Sequence, residues 1–287
     1  MTKTASLILA LLVLASLFAG PPGVAAAPVE FSAAGANAAA IQGTVDAFRL
    51  TLGDPNNGNA PGPLFTGRRE INWDGGGTAV TPAGTPFNGF LNIRGAQFVT
   101  PGSGFVQAPP TGPVGGLDTQ FSNPAYATAF QPFSLPRLFS PIGSNITDVF
   151  FFIPGTNGGV PATVSGFGAV FSDVDIADVT SIQYFDAFGA SLGTFFVPEA
   201  PGTATLSFLG VVFDAGESVF RVRITTGTTA LGANVNDNLA AAALVDVATL
   251  DDFLYKEPRA VPEPATALLL TVGVIAVAFG RGRRGGR

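Results

Sequence analysis

The sequence predicts an all-β sandwich or barrel, set between an apolar leader and an apolar tail. Three observations predict it. Between residues 28 and 260, short runs rich in Val, Ile, Phe and Thr are punctuated by Gly, Pro, Asn and Asp, the pattern of closely spaced strands. Few stretches there hold a helical period. Hydrophobic residues make up 47% of the chain and charged residues 12%, so there is ample apolar side chain to bury and the body is not a disordered acidic tail.

Residues 1–26 read as a secretory signal peptide. Lys3 supplies the positive start, Ser6 to Phe18 the apolar stretch, and Gly20, Pro21 and Pro22 break the helix before a small-residue cleavage site that ends at Ala26. Residues 27–45 form an Ala-rich segment in which Ser32–Ala40 is expected as a little helix. The β body is expected over 46–257. Its cleanest strand is 218–225, where Phe220, Val222 and Ile224 alternate with Arg221 and Arg223. The run Thr205–Phe213 is almost wholly apolar and should be buried on both faces, with Asp214–Glu217 as a hairpin turn to the strand that follows. A second hairpin is expected from Ser181–Asp186 and Ser191–Val197, and further strands at Arg69–Trp73, Gln97–Val99, Val149–Ile153, Thr163–Phe171 and Asp252–Tyr255. Residues 258–261 are expected as a linker.

The chain has no His and no Cys. That excludes a Ser-His-Asp triad, His-ligated zinc or haem, thiol nucleophiles, thiolate metal sites, iron–sulfur clusters and disulfides. Lys3 and four tail arginines account for five of the 14 basic residues, and Glu263 for one of the 20 acidic residues. Residues 27–260 therefore carry 9 basic and 19 acidic groups, a balance that disfavours nucleic acid and anionic lipid.

At the C-terminal end, Pro262, Glu263 and Pro264 precede the uncharged run Ala265–Gly280, followed by Arg281, Arg283, Arg284 and Arg287. Counted from Val261, about 20 residues precede Arg281, roughly enough for a membrane-spanning helix, and the arginines place its end in the cytoplasm. This order resembles the PEP-CTERM sorting signal of exported bacterial proteins. The resemblance implies that Pro262, Glu263 and Pro264 are read by an exosortase, a membrane protease. It further implies that 262–287 is a sorting signal whose apolar helix and tail are removed. The phrases Gly67–Gly75, Gly166–Asp175, Leu206–Phe213, Arg221–Ile224 and Asp251–Tyr255 also resemble a region found in other PEP-CTERM proteins. That resemblance implies a jelly-roll, lectin-like β-sandwich without an assigned activity.

Three groups of residues are candidates for chemistry. Asp173 and Asp175, on an extended segment, would turn both carboxylates to one face and offer hard oxygen donors to calcium. Asp251 and Asp252 open the last strand and are a second calcium candidate; simple alternation puts Asp251 on the face of Phe253 and Tyr255, with Asp252 opposite. Arg69, Asn72, Trp73 and Asp74 gather the only Trp with polar groups, the set that stacks on and hydrogen-bonds a sugar. The bland alternatives are a solvated strand end, backbone hydrogen bonds and a core Trp. No catalytic residue is assigned, and calcium is the one cofactor considered.

The resulting expectation is an exported, non-catalytic surface or extracellular-matrix protein associated with exopolysaccharide or another glycan. It passes through an inner-membrane intermediate on its way to the cell surface, outer membrane or matrix. The alternatives are a carboxylate-based polysaccharide hydrolase and a permanently membrane-anchored structural protein.

Overall fold

The computed structural model describes residues 27–240 and 244–261. They form mostly β-structure in three antiparallel sheets, with few helices. The expected signal helix and membrane-spanning helix lie outside the described residues. Among the described residues, no helix is long and apolar enough to cross a membrane.

The larger sheet runs in the order β1 (Val29–Gly35), β12 (Leu206–Val212), β9 (Gly166–Ser172), β14 (Thr249–Lys256), β6 (Leu138–Ile142), β5 (Gly104–Ala108) and β3 (Thr81–Gly84). The short β2 (Arg68–Ile71) also pairs with β14. The smaller sheet runs β11 (Ser191–Phe196), β10 (Ser181–Phe185), β13 (Arg221–Thr225), β7 (Ile146–Phe151) and β4 (Ala96–Val99). A two-stranded ribbon joins β8 (Ala162–Thr163) to β15 (Arg259–Ala260).

Both main sheets feed one core. Phe167, Phe171, Leu209, Leu250 and Phe253 meet Phe98, Val149, Ile182, Tyr184 and Ile224. The strand patterns follow from what covers each face. In the smaller sheet, β10 and β13 bury alternate residues, because only one face is covered. On β13, Val222 and Ile224 point inward while Arg221 and Arg223 grip Asp148 of β7 from outside, at 3.1 and 2.7 Å. In the larger sheet, β9 and β12 are buried along their whole length, because their outer face is also covered.

The cover is helix α1 (Ala38–Leu52). The Asn37 side chain accepts the Ala40 N–H at 3.2 Å and starts it. Ile41, Val45, Phe48 and Leu52 form its apolar stripe, which packs on Val170, Phe208, Val212 and Leu254. Gly168 and Gly210 sit opposite each other on β9 and β12. A Cβ on either would come within 2.8 Å of the Phe48 ring, so the two glycines form the notch that receives it. A second outer cluster, including Leu117, Tyr126, Phe130, Leu231 and Val247, covers Val106 and Leu138.

Several expectations need correcting. The Ala-rich stretch expected as a helix over Ser32–Ala40 is instead strand to Gly35 and helix from Ala38. The strand is held there by pairing with β12. The hairpin expected across Asp214–Glu217 is a crossover, since β12 and β13 lie in different sheets. The hairpin of β10 and β11 forms as expected. The linker expected at 258–261 is fastened to the body: Arg259 and Ala260 pair with Thr163 and Ala162, and the Val261 N–H reaches the Pro161 carbonyl at 3.2 Å.

Candidate metal centre

Beyond Ser172, β9 ends abruptly. Asp173 adopts the left-handed conformation, φ 70°, so Asp173 and Asp175 do not continue an extended segment. Asp173 is almost fully buried, and its Oδ1 accepts the Ala204 N–H at 3.0 Å. Asp175 meets two acids that lie more than sixty residues further along the chain. Asn238 and Val245 form an antiparallel bridge, which closes a loop and sets Asp237 and Asp246 on either side of its neck.

Asp175, Asp237 and Asp246 bring one carboxylate oxygen each within 4.8 Å of one another. Two oxygens on opposite sides of one calcium, each at about 2.4 Å, span that same distance. Backbone donors fix the three side chains: Gly202 N–H to Asp175 at 2.8 Å, Val247 N–H to Asp237 at 2.8 Å, and Asp175 N–H to Oδ1 of Asp246 at 3.2 Å. Asp246 is fully buried, and its second oxygen, Oδ2, has no hydrogen-bond partner.

The electrostatics point the same way. Burial, reinforced by the charges of Asp237, Asp175 and Asp246, pushes the Asp173 carboxyl up to about 8. Burial, with Asp237 and Asp175 nearby, pushes Asp246 up to about 7. Burial also raises Asp237. Among the described residues, no Lys or Arg forms an ion pair with any of these four acids. Such a cluster must hold protons or take a cation. The residues therefore suit a metal ion: an acidic triad with oxygen-only donors and one orphaned buried oxygen. The candidate built from Asp173 and Asp175 is corrected accordingly. Asp175 belongs to the triad, Asp173 stands beside it, and Asp237 and Asp246 complete it.

The carboxylates of the second calcium candidate are engaged by protein donors. A bulge separates Leu250 from Phe253, which pair with Phe171 and Ala169 of β9. The extra residue breaks the alternation, so Asp251 and Asp252 are both buried away from the Phe253 core. Asp251 Oδ2 accepts the Phe133 and Ser134 N–H groups at 2.6 and 3.2 Å. Asp252 accepts the Ser134 hydroxyl at 2.6 Å and Arg49 Nη2 at 3.4 Å. Burial raises both carboxyls, each also affected by the other.

The sugar candidate is corrected as well. Trp73 is 1% exposed and Arg69 0%. The Trp73 ring stacks on Phe139 at 3.8 Å and gives its N–H to the Asp251 carbonyl at 3.0 Å, leaving no face for a sugar. Arg69 holds Glu257 with two hydrogen bonds of 2.7 and 2.8 Å. Asp74 accepts the Arg137 N–H at 3.0 Å, and only Asn72 is exposed. Pro262, Glu263, Pro264, Arg281, Arg283, Arg284 and Arg287 lie outside the described residues.

The fold and the site together define an antiparallel β-protein with an acidic centre able to hold a metal ion. Comparison with known protein families, curated proteins and solved structures finds no match to the chain.

Proposed function

We propose that the chain is an exported, non-catalytic surface or matrix protein whose β body is locked by calcium at Asp175, Asp237 and Asp246. The observation that carries the calcium reading is the buried, partnerless Oδ2 of Asp246 beside two further carboxylates. Calcium accepts six to eight oxygens in irregular geometry, which suits donors drawn from a strand end and a loop neck. Modules outside the cell bind calcium at about 10⁻⁴–10⁻³ M, and a body without Cys has no disulfide to brace its loops.

The route belongs to the same proposal. The leader, the Pro-Glu-Pro motif, the apolar run and the arginine tail give an order of export, membrane arrest and exosortase cleavage, ending in a glycan-rich layer. The jelly-roll reading is supported by strands that pass between the sheets in turn, as β6, β7, β9, β10, β12, β13 and β14 do.

Thermal unfolding tests the calcium reading. At a calcium concentration a hundred times Kd, the folded state gains about 2.7 kcal/mol, so Tm should rise by several degrees over the protein in EDTA. Asp237→Asn should abolish the rise. An identical Tm in EDTA and in about 10–100 mM calcium, a hundred times that Kd, overturns the reading. Intact mass of the protein from its native host tests the route: the expected chain lacks residues 1–26 and Ala265–Arg287, whereas retention of Ala265–Arg287 means a permanent anchor.

A further inference from the structure

We infer that the pocket between the β8–β15 ribbon and the Phe65 loop binds a carboxylated sugar residue. This gives the glycan-associated reading a place and a ligand class, at a site separate from the acidic triad. The pocket has a volume of about 220 Å³, smaller than a drug-sized cavity and suited to one sugar ring. Val164 and Glu257 are buried at its base, while Phe65, Ser218 and Arg259 are exposed at its rim.

The lining supplies each element of such recognition. Lys256 is half-buried in the wall and makes no ion pair among the described residues. Arg259 stands beside it, oriented by a hydrogen bond to the Phe65 carbonyl. In a body with 19 acidic and 9 basic groups, two cations facing one pocket make a local site for an anion. Glu257 does not cancel them, because both its oxygens are held by Arg69, with Asn57 and the Leu64 N–H also bonded to it. A guanidinium and an ammonium pair with a carboxylate through short, charge-assisted hydrogen bonds. Thr163, Ser165 and Ser218 line the same space, residues whose hydroxyls can partner a sugar's. Phe65 is 96% exposed at the rim, an apolar ring available to the C–H face of a sugar.

The test is calorimetric titration of the full chain in detergent with three probes: a glucuronate-containing trisaccharide, the matching neutral glucose trisaccharide, and sodium sulfate. Saturable binding of the uronate alone is expected. Lys256→Gln should weaken it about tenfold or more, and Phe65→Ala should weaken it with the circular dichroism spectrum unchanged. Equal binding of the neutral sugar, equal competition by sulfate, or an unaltered Lys256→Gln variant overturns the inference. So does the absence of saturable binding, which leaves the calcium response to be judged by its own experiment.

Discussion

Replacing Asp246 by Asn should stabilise the calcium-free protein, and the gain should grow with pH. The carboxyl is wholly buried, and burial together with Asp237 and Asp175 moves its pKa from 3.8 to about 7. Between those values the folded protein keeps a proton that the unfolded chain has released. The folded state then binds more protons, so stability falls as pH rises. This contribution is complete below 3.8 and is lost as pH passes about 7. Each pH unit of displacement is worth about 1.4 kcal/mol, so the ceiling for this residue is about 4 kcal/mol. Asp173, at about 8, titrates with it and extends the loss toward the alkaline end.

Asn at 246 keeps the Oδ1 acceptor for the Asp175 N–H and turns an amide donor toward the other carboxylates. Urea unfolding in EDTA at pH 4.5 and 8.5 provides the assay. Parent and variant should agree within about 1 kcal/mol at the lower pH, and the variant should lead by about 2–4 kcal/mol at the higher. Saturating calcium should reverse the order, because only the parent keeps the ligand. Parallel pH profiles in EDTA would refute the reasoning, since they would mean that Asp246 titrates alike in both states.

Two further substitutions test the packing. Phe48→Ala empties the notch over Gly168 and Gly210 and should cost about 3–5 kcal/mol in denaturant unfolding; a loss below about 1 kcal/mol would mean that α1 does not hold the outer face. Glu257→Gln leaves the Arg69 guanidinium buried without its counter-charge and should cost about 3–5 kcal/mol. Adding Arg69→Met should recover only part of this in a double-mutant cycle, because the Gly58 and Ala60 carbonyls also accept from Arg69, at 2.8 and 2.7 Å.

What the sequence revealed depended on how local the cause was. The unbroken apolar run at Thr205–Phe213 and the alternation at Arg221–Thr225 are readable because each pattern records its own cover: two layers over β12, one over β13. The hairpin of β10 and β11 is equally local. The start of the helix is not legible because alanines fill both β1 and the start of α1, and β1 is fixed by its pairing with β12 across the fold. The stripe Ile41, Val45, Phe48 and Leu52 was there to be found at helical spacing. Asp237 and Asp246 carried no such signal. Their bridge and their meeting with Asp175 are properties of the closed loop, and nothing in their immediate neighbours distinguishes them from solvated acids.

The two acidic clusters show why similar residues lead to different chemistry. At β14, one bulge turns both Asp251 and Asp252 out of the alternating register, and the same strand offers the Asp251 carbonyl to the buried Trp73 indole. Both carboxyls then face the Phe133–Ser134 backbone and the last turn of α1, where Arg49 reaches Asp252, Glu70 and Asp46. That guanidinium reaches Asp252 alone of the pair, while the Phe133 and Ser134 N–H groups hold Asp251, and the contact ties helix to sheet. The loop-neck cluster has backbone donors too, but no cationic side chain forms an ion pair with it among the described residues, and one of its oxygens is left buried and unpaired. Density of acids is equal evidence in both places. The unpaired oxygen, set where three carboxylates meet, is what separates a site that calls for a cation from a carboxyl pair held by protein donors.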